Sequence, residues 1–208
     1  ILLTLTISCV EKKSSQKEIS KSEFVNLSES DSLHFNSGIQ AIFQDSKGNY
    51  WFGSSQEGVC LFDGEKFTYF TVHNGLSDNQ IRSIQEDQNR NIWFGTATGV
   101  CSYDGKIMTN HTPKNMLTNN EPSSSEWAKT ENDLWFNGGN SNGVYRYDGQ
   151  KLHYLTFPKT KLSNPNNVYH ATDFSKGKNN QIWIATYAGV FGYNGKNFTI
   201  INDESLGF

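Results

Sequence analysis

Short apolar segments separated by polar turns recur along this chain, and four of them share one pattern. The copies are NYWFGSSQEGVCLFDG (49–64), NIWFGTATGVCSYDG (91–105), DLWFNGGNSNGVYRYDG (133–149) and QIWIATYAGVFGYNG (181–195). Their tryptophans, Trp51, Trp93, Trp135 and Trp183, lie 42, 42 and 48 residues apart. A period of about 40–50 residues that contains several short strands is typical of a β-propeller.

One period divides into four predicted strands. They are IRSIQED (81–87), NIWFGT (91–96), GVCSYDG (99–105) and KIMTNHT (106–112). Asp-Gly or Asn-Gly pairs follow the third strand of every copy, at 63–64, 104–105, 148–149 and 194–195. Such pairs favour two-residue hairpin loops of type I′, because both residues readily adopt positive φ angles. Four strands joined in this way predict one propeller blade.

The predicted fold is therefore an all-β propeller of four-stranded antiparallel blades. About four blades are present, at approximately 38–80, 81–121, 122–163 and 164–208. Blades stack face to face and bury both sides of each sheet, which explains apolar runs such as IWFG. Gly58, Gly99, Gly143 and Gly189 begin the third strands, where we expect a tight turn or a close backbone approach.

The repeat I-x-x-I-x-x-D…N-I-W-F-G-T…G-V-x-x-Y-D-G resembles the two-component regulator propeller repeat. That repeat is common in the sensor regions of bacterial hybrid histidine kinases and related lipoproteins, and the resemblance covers about residues 38–208. Family members usually close with about seven blades. The resemblance therefore implies that this chain holds part of a larger propeller, and the alternative is four blades that close on themselves.

Composition and charge agree with a β protein and exclude other classes. The chain has 208 residues, 13% of them aromatic and 19% charged, with 18 glycines and a net charge of −3. No stripe of Lys and Arg is present that could neutralise nucleic-acid phosphates, so we predict no nucleic-acid partner. No apolar run is long enough to form a membrane-spanning helix.

The first residues predict a lipid anchor. ILLTLTISC (1–9) is apolar, ends in small residues and Cys9, and is followed by the polar segment 10–30. This order resembles the end of a bacterial lipoprotein signal peptide with a lipidated Cys9 and a flexible tether. We therefore expect a periplasmic or cell-exterior location, with the membrane reached only through the lipid. The alternative is an apolar strand that buries Cys9.

The titratable residues do not assemble an evident catalytic or metal site. Cys60 and Cys101 occupy equivalent positions in adjacent blades, which stack too far apart for a disulfide, so we interpret both as buried apolar residues. The five histidines lack metal-ligand spacing, and we predict neither a metal nor a cofactor. Asp45 and Asp87 recur at the turn between first and second strands. They are interpreted as turn-closing residues, because Asp side chains bond backbone amides two residues on.

What remains is a binding surface. The loops into the first strands and the loops between second and third strands should share one face of the propeller, and they are rich in Asn, Ser, Gln and Gly. We predict that ligand contacts come from this face. The candidate residues are Asn79, Arg82, Trp127, Tyr169, His170 and Tyr187.

Function follows from the resemblance and from this surface. The repeat implies a sensor that recognises a small molecule or an oligosaccharide, for example a glycan fragment, and signals through a protein partner. We predict no catalytic residues. Two alternatives remain open: a propeller enzyme, such as a lyase or a glycan-cleaving enzyme, and a structural scaffold for protein interactions.

Overall fold

The chain folds as an array of antiparallel sheets. The computed structural model describes residues 27–112, 127, 129–139, 143–157, 169–178 and 181–202. These residues form four sheets that follow one another along the sequence and one short 3-10 helix, Val72–Asn74. The prediction of an all-β fold built from propeller blades is confirmed. Within the described ranges, no helix is long and apolar enough to cross a bilayer.

The strands of each sheet lie in sequence order from the first strand outward, apart from one added strand in the first blade. Blade one contains β1 (Ser28–Ser30), β2 (Ile39–Gln44), β3 (Tyr50–Ser54), β4 (Val59–Phe62) and β5 (Phe67–Phe70). Blade two contains β6 (Ile81–Glu86), β7 (Ile92–Thr96), β8 (Val100–Tyr103) and β9 (Met108–Asn110). Blade three contains β10 (Leu134–Asn137), β11 (Gly143–Tyr147) and β12 (Leu152–Thr156). Blade four contains β13 (Ala171–Lys176), β14 (Ile182–Thr186), β15 (Gly189–Tyr193) and β16 (Phe198–Ile201).

Strand β1 corrects the predicted boundary between the tether and the propeller. Residues 28–30 were expected to belong to the flexible tether, but they pair with β5 as a fifth strand on the outer edge of blade one. An outer strand such as β5 has unpaired backbone groups that a further strand can satisfy. Lys66 Nζ also bonds Glu29 Oε1 at 2.7 Å. The prediction of a tether is wrong for these residues.

The hairpins between third and fourth strands differ from the prediction. Tyr103 pairs with Met108, so the loop contains four residues, 104–107, and not two. A type I′ turn needs a positive φ at Asp104 as well as at Gly105. Gly105 has a φ of 95°, but Asp104 does not have a positive φ, because Arg90 is the only non-glycine residue of the described chain that does. The Asp104 carboxylate accepts the backbone N–H groups of Lys106 and Ile107, each at 2.8 Å. This side-chain closure replaces the predicted type I′ turn, and all four blades have the same loop length.

The core lies between successive blades. Trp51 of blade one packs its ring 5.5 Å from that of Phe94 in blade two, and Trp93 lies 6.2 Å from Phe136 in blade three. Cys60 and Cys101 are free and fully buried, as the repeat predicted. Apolar clusters of this kind join each blade to the next. The open array agrees with the expectation that the chain holds part of a larger propeller.

Candidate functional site

The loops that lead into the first strands meet the loops between second and third strands on one face of the array. The same backbone hydrogen bond marks the meeting point in three blades. Ala97 N donates to Gln80 O at 3.0 Å in blade two, and Tyr187 N donates to His170 O at 3.4 Å in blade four. Ser55 and Gly38 make the bond in blade one at 2.8 Å. The face expected from the repeat therefore exists, and we call it the loop face.

Arg82 bridges two blades on this face. It is the second residue of β6, and its Nη1 lies 3.3 Å from Asn137 Oδ1 and 3.5 Å from Gly139 O in blade three. Both distances exceed the usual range of N–H···O bonds, so these contacts are weak. Among the residues that the structure describes, no ion pair involves Arg82, and its side chain is half-buried. The guanidinium therefore keeps donors that an incoming acceptor group could use.

His170 and Tyr187 form an aromatic corner in blade four. Their ring centroids lie 6.3 Å apart in an edge-to-face arrangement. Tyr187 is 78% exposed, the highest fraction among the large hydrophobic side chains of the described chain. In register with Tyr187 the other blades carry Ser55, Ala97 and Gly139, which are all small. The hairpin therefore does not require an aromatic ring at this position.

Asn79 has a structural role in the loop between blades one and two. Its Oδ1 accepts the backbone N–H of Val72 at 2.9 Å, and its backbone carbonyl accepts the N–H of Gly58 at 2.8 Å. These two bonds hold the loop against the start of β4. Because Oδ1 already accepts this bond, the amide nitrogen and one remaining lone pair of Oδ1 are what the side chain can offer a ligand.

Trp127 and Tyr169 lie in the core and not on the loop face. They are 5% and 7% exposed. The Trp127 ring lies 4.7 Å from Phe198 and 6.0 Å from Trp135, so it fills the space between blades three and four. The Tyr169 ring lies 5.2 Å from Phe191. We therefore correct the interpretation of these two aromatics from ligand platforms to packing residues.

Part of the predicted surface cannot be placed. Cys9, the loop 113–122 and the loop 162–167 lie outside the described residues.

Asn137 is a residue of the loop face that the sequence-based prediction did not single out. It pairs with Val144, and the equivalent positions in blades one and two are Gly53 and Gly95. The change from W-F-G to W-F-N in the third copy was the available signal.

Two segments of the repeat also match the sequence model of a known family. The sequence model of the two component regulator propeller family matches residues 33–56 and 75–98. These two segments therefore carry two-component regulator propeller repeats. The two matches cover the beginnings of blades one and two, where the strands β2, β3, β6 and β7 lie. Among curated proteins, none matches the sequence.

Solved structures similar to this chain are β-propellers. Virginiamycin B lyase from Staphylococcus aureus has a TM-score of 0.60 at 16% identity, over 85% of this chain and 59% of the lyase. The extracellular domain of a putative one component system from B. thetaiotaomicron has a TM-score of 0.58 at 19% identity, over 83% of this chain and 26% of that one. The extracellular domain of a putative hybrid two component system from the same organism has a TM-score of 0.54 at 20% identity, over 79% and 23%. Similarity at this level shows the fold alone, and the chain spans about three fifths of the lyase or less than a third of the other two.

The carboxylates of the regulator propeller repeats are used inside the blades. Asp45 Oδ2 accepts Trp51 Nε1 at 3.0 Å and Asn49 Nδ2 at 2.9 Å, and its Oδ1 accepts two backbone N–H groups. Burial acts to raise the pKa of Asp45, but these hydrogen bonds together lower it. Asp87 makes the same four bonds. Both residues close turns, as predicted.

The cysteines and histidines of the described chain show no assembled reactive site. Burial raises the pKa of the Cys60 thiol to about 11, which disfavours the nucleophilic thiolate. Burial lowers the pKa of His111, whose ring stacks 4.8 Å from Trp93. His153 Nε2, on the outer strand β12, lies 2.7 Å from Oδ2 of Asp148 in the hairpin loop that precedes this strand. Within the described ranges, no group of three or more His, Cys, Asp or Glu side chains could hold a metal ion.

Proposed function

We propose that this regulator propeller is an extracytoplasmic recognition domain that binds a polar ligand, such as a glycan fragment, on its loop face. Arg82 supplies hydrogen-bond donors, and Tyr187 with His170 supplies a ring against which a sugar can pack. Binding is passed to a protein partner, and Cys9 carries the lipid that holds the domain at the membrane. The domain recognises its ligand without catalysing a reaction.

The observation that carries this proposal is the state of Arg82. A half-buried guanidinium loses part of its hydration, and folded proteins normally compensate with a carboxylate or with short hydrogen bonds. Here the partners are one amide oxygen at 3.3 Å and one carbonyl at 3.5 Å. A ligand hydroxyl or carboxylate would complete the arginine's hydrogen bonds at no cost to the fold.

The exposed tyrosine and the relatives provide further support. An aromatic ring that is 78% exposed adds nothing to the core but offers a flat apolar surface to a ligand. Regulator propeller repeats are common in sensor regions, and two of the similar structures are extracellular domains of putative one- and two-component systems. These relatives support a signalling role and an extracytoplasmic location for this chain.

The proposal can be tested by titrating the full chain with a panel of neutral and acidic oligosaccharides, followed by thermal shift and calorimetry. We expect at least one member to raise the unfolding temperature, because a ligand that binds only the folded state stabilises it. Arg82→Gln should weaken the binding of that ligand by about tenfold or more, since a hydrogen bond to a charged group contributes about 1.5–3 kcal/mol. Tyr187→Ala should weaken it as well.

The matched control is Arg90→Gln, which removes the same charge from an exposed turn at the opposite end of β6. This variant should bind as the unchanged chain does. Binding that survives Arg82→Gln and Tyr187→Ala would move the site away from the loop face. A panel without a single binder would contradict glycan recognition, and release of cleaved sugars would support the enzyme alternative.

A further inference from the structure

Two departures from the repeat meet at the junction of blades two and three. The position of Arg82 is held by Gln40 in blade one and by Thr172 in blade four, and both of these side chains are neutral. Asn137 takes the place of glycine in blades one and two and of alanine in blade four. Because these other blades form the same strands without the charge or the amide, the strand pattern requires neither of them.

A β-bulge directs Arg82 toward this junction. The register of β6 against β7 shifts between Ile81 and Ser83, so Arg82 is the extra residue of the bulge. Such a bulge bends the strand and re-aims a side chain, and it recurs in β2 and β13. In blade two the re-aimed side chain is a cation, whose Nη1 faces Asn137 Oδ1 and Gly139 O of blade three. The fold therefore presents a positive charge between two blades that both belong to the described chain.

Hydrogen-bond donors at this junction outnumber the acceptors that the described chain supplies. The guanidinium can donate from every nitrogen, but its acceptors are the two oxygens at 3.3 and 3.5 Å. Asn137 is 4% exposed; its Oδ1 faces Arg82 and the backbone N–H of Gly139, and its Nδ2 donates to no group in the described chain. The buried hydroxyl of Ser83, beside Gly95, also lacks a partner. Since buried donors are normally paired, the junction is short of acceptor atoms.

We propose that the ligand of the loop face carries a carboxylate, which binds at this junction to Arg82 and to Nδ2 of Asn137. The site then selects acidic oligosaccharides, such as those of hexuronic acids, over neutral ones. This inference rests on the proposed recognition of a glycan fragment and adds the chemical class of that glycan.

The balance of donors and acceptors favours a carboxylate over a hydroxyl. A sugar hydroxyl brings a donor together with its lone pairs, whereas an ionised carboxylate only accepts and can take two parallel bonds from a guanidinium. It also supplies the opposite charge, since no carboxylate of the described residues pairs with Arg82. The side chain is half-buried, so it is accessible from the loop face, and the bonds to it are less weakened by water than on an open surface.

The test compares oligosaccharides of hexuronic acids with the same oligosaccharides after reduction of their carboxyl groups to primary alcohols. Oligomers of galacturonate, glucuronate and mannuronate and their reduced forms are titrated into the full chain by calorimetry at neutral pH. We expect at least one acidic oligomer to bind, and its reduced form to bind about tenfold more weakly or worse, because the hydrogen bonds to a charged group are lost.

Two variants locate the carboxylate, and a third is the control. Arg82→Gln removes the charge but keeps a donor, and it should bring the acidic and reduced oligomers to nearly equal affinity. Asn137→Ala should weaken the acidic oligomer severalfold, and blade four already carries alanine at this position. Arg90→Gln removes a charge from an exposed turn and should keep the full preference. Circular dichroism checks that all three variants are folded.

The possible failures can be told apart. Equal binding of an acidic oligomer and its reduced form would overturn this inference while supporting glycan recognition. A preference that survives Arg82→Gln in a folded variant would also overturn it, because the carboxylate would then bind elsewhere. If no oligosaccharide of either kind binds, glycan recognition and this inference are both contradicted.

Discussion

The turn-closing aspartates provide a sharp test of what holds a blade together. In blade two, Asp87 Oδ1 accepts the backbone N–H groups of Asn89 and Asn91, each at 2.9 Å. Its Oδ2 accepts Asn91 Nδ2 at 3.0 Å and the indole Nε1 of Trp93 at 2.9 Å. Asp87→Ala removes all four acceptor contacts and leaves their donors without partners.

The expected cost follows from how well each donor can return to water. Trp93 is 3% exposed, so its indole N–H stays buried and unsatisfied, which costs about 1–3 kcal/mol. Asn89 is exposed and Asn91 is half-buried, so their N–H groups can bind water, and each lost bond costs at most about 1 kcal/mol. We therefore expect Asp87→Ala to lower the free energy of unfolding by about 2–4 kcal/mol.

The matched control is Asp104→Ala. Asp104 also closes a turn, but it accepts only two backbone N–H groups in an exposed loop. We expect that variant to lose about 1 kcal/mol or less. Urea unfolding followed by circular dichroism measures both values, and tryptophan fluorescence provides a second probe whose agreement tests two-state behaviour. If Asp87→Ala costs no more than Asp104→Ala, the bond to the buried indole does not stabilise the blade.

Two further predictions concern two carboxylates of blade three, Asp133 and Asp148. Arg146 donates from Nε to Asp133 Oδ2 at 2.8 Å and from Nη2 to Asp133 Oδ1 at 3.0 Å. Arg146→Met should lower the free energy of unfolding by about 3–5 kcal/mol, because it leaves the buried Asp133 carboxylate without these two donors. A loss below about 1 kcal/mol in urea unfolding would contradict this. The pKa of Asp148 is lowered to about 2, since the bonds from Lys151 N, His153 and Gln150 N outweigh the opposing effect of burial. Its contribution of about 2 kcal/mol is therefore complete above pH 4 and is lost as the pH falls towards 2. In Asp148→Asn, the free energy of unfolding should not show this decrease as the pH falls. Asp63→Asn is the control, since Asp63 lies at the equivalent turn without a histidine partner, and it should change the pH dependence of stability less.

The strands of blade two were predictable because their pattern depends on local chemistry. The predicted segments 81–87, 91–96, 99–105 and 106–112 contain the observed strands β6 to β9. Apolar runs buried on both faces and bounded by turn residues leave little freedom in where a strand lies. The loop at 104–107 was not predictable from the Asp-Gly pair alone, because the carboxylate, and not a positive φ at Asp104, closes it.

The location of the candidate site was predictable, but its composition was not. The repeat period places the start of each first strand on one face, which is why the sequence alone predicts that Arg82 and His170 lie there. Whether an aromatic ring near that face is exposed depends on packing between blades, and a single repeat does not reveal this. Trp127 lies against Phe198 of the next blade, which is 71 residues further along the chain.

Departures from the repeat mark both residues that stabilise the fold and candidates for ligand contact, and exposure distinguishes the two. Arg146 stands where blades one and two have Leu61 and Ser102, but it is buried on Asp133, so the fold itself explains it. Tyr187 replaces small residues and is 78% exposed, so packing does not explain it. A large side chain that the repeat does not require and the core does not use is available for a contact outside the blade. That reasoning makes Tyr187, together with the weakly bonded Arg82, the residue pair on which ligand binding should depend.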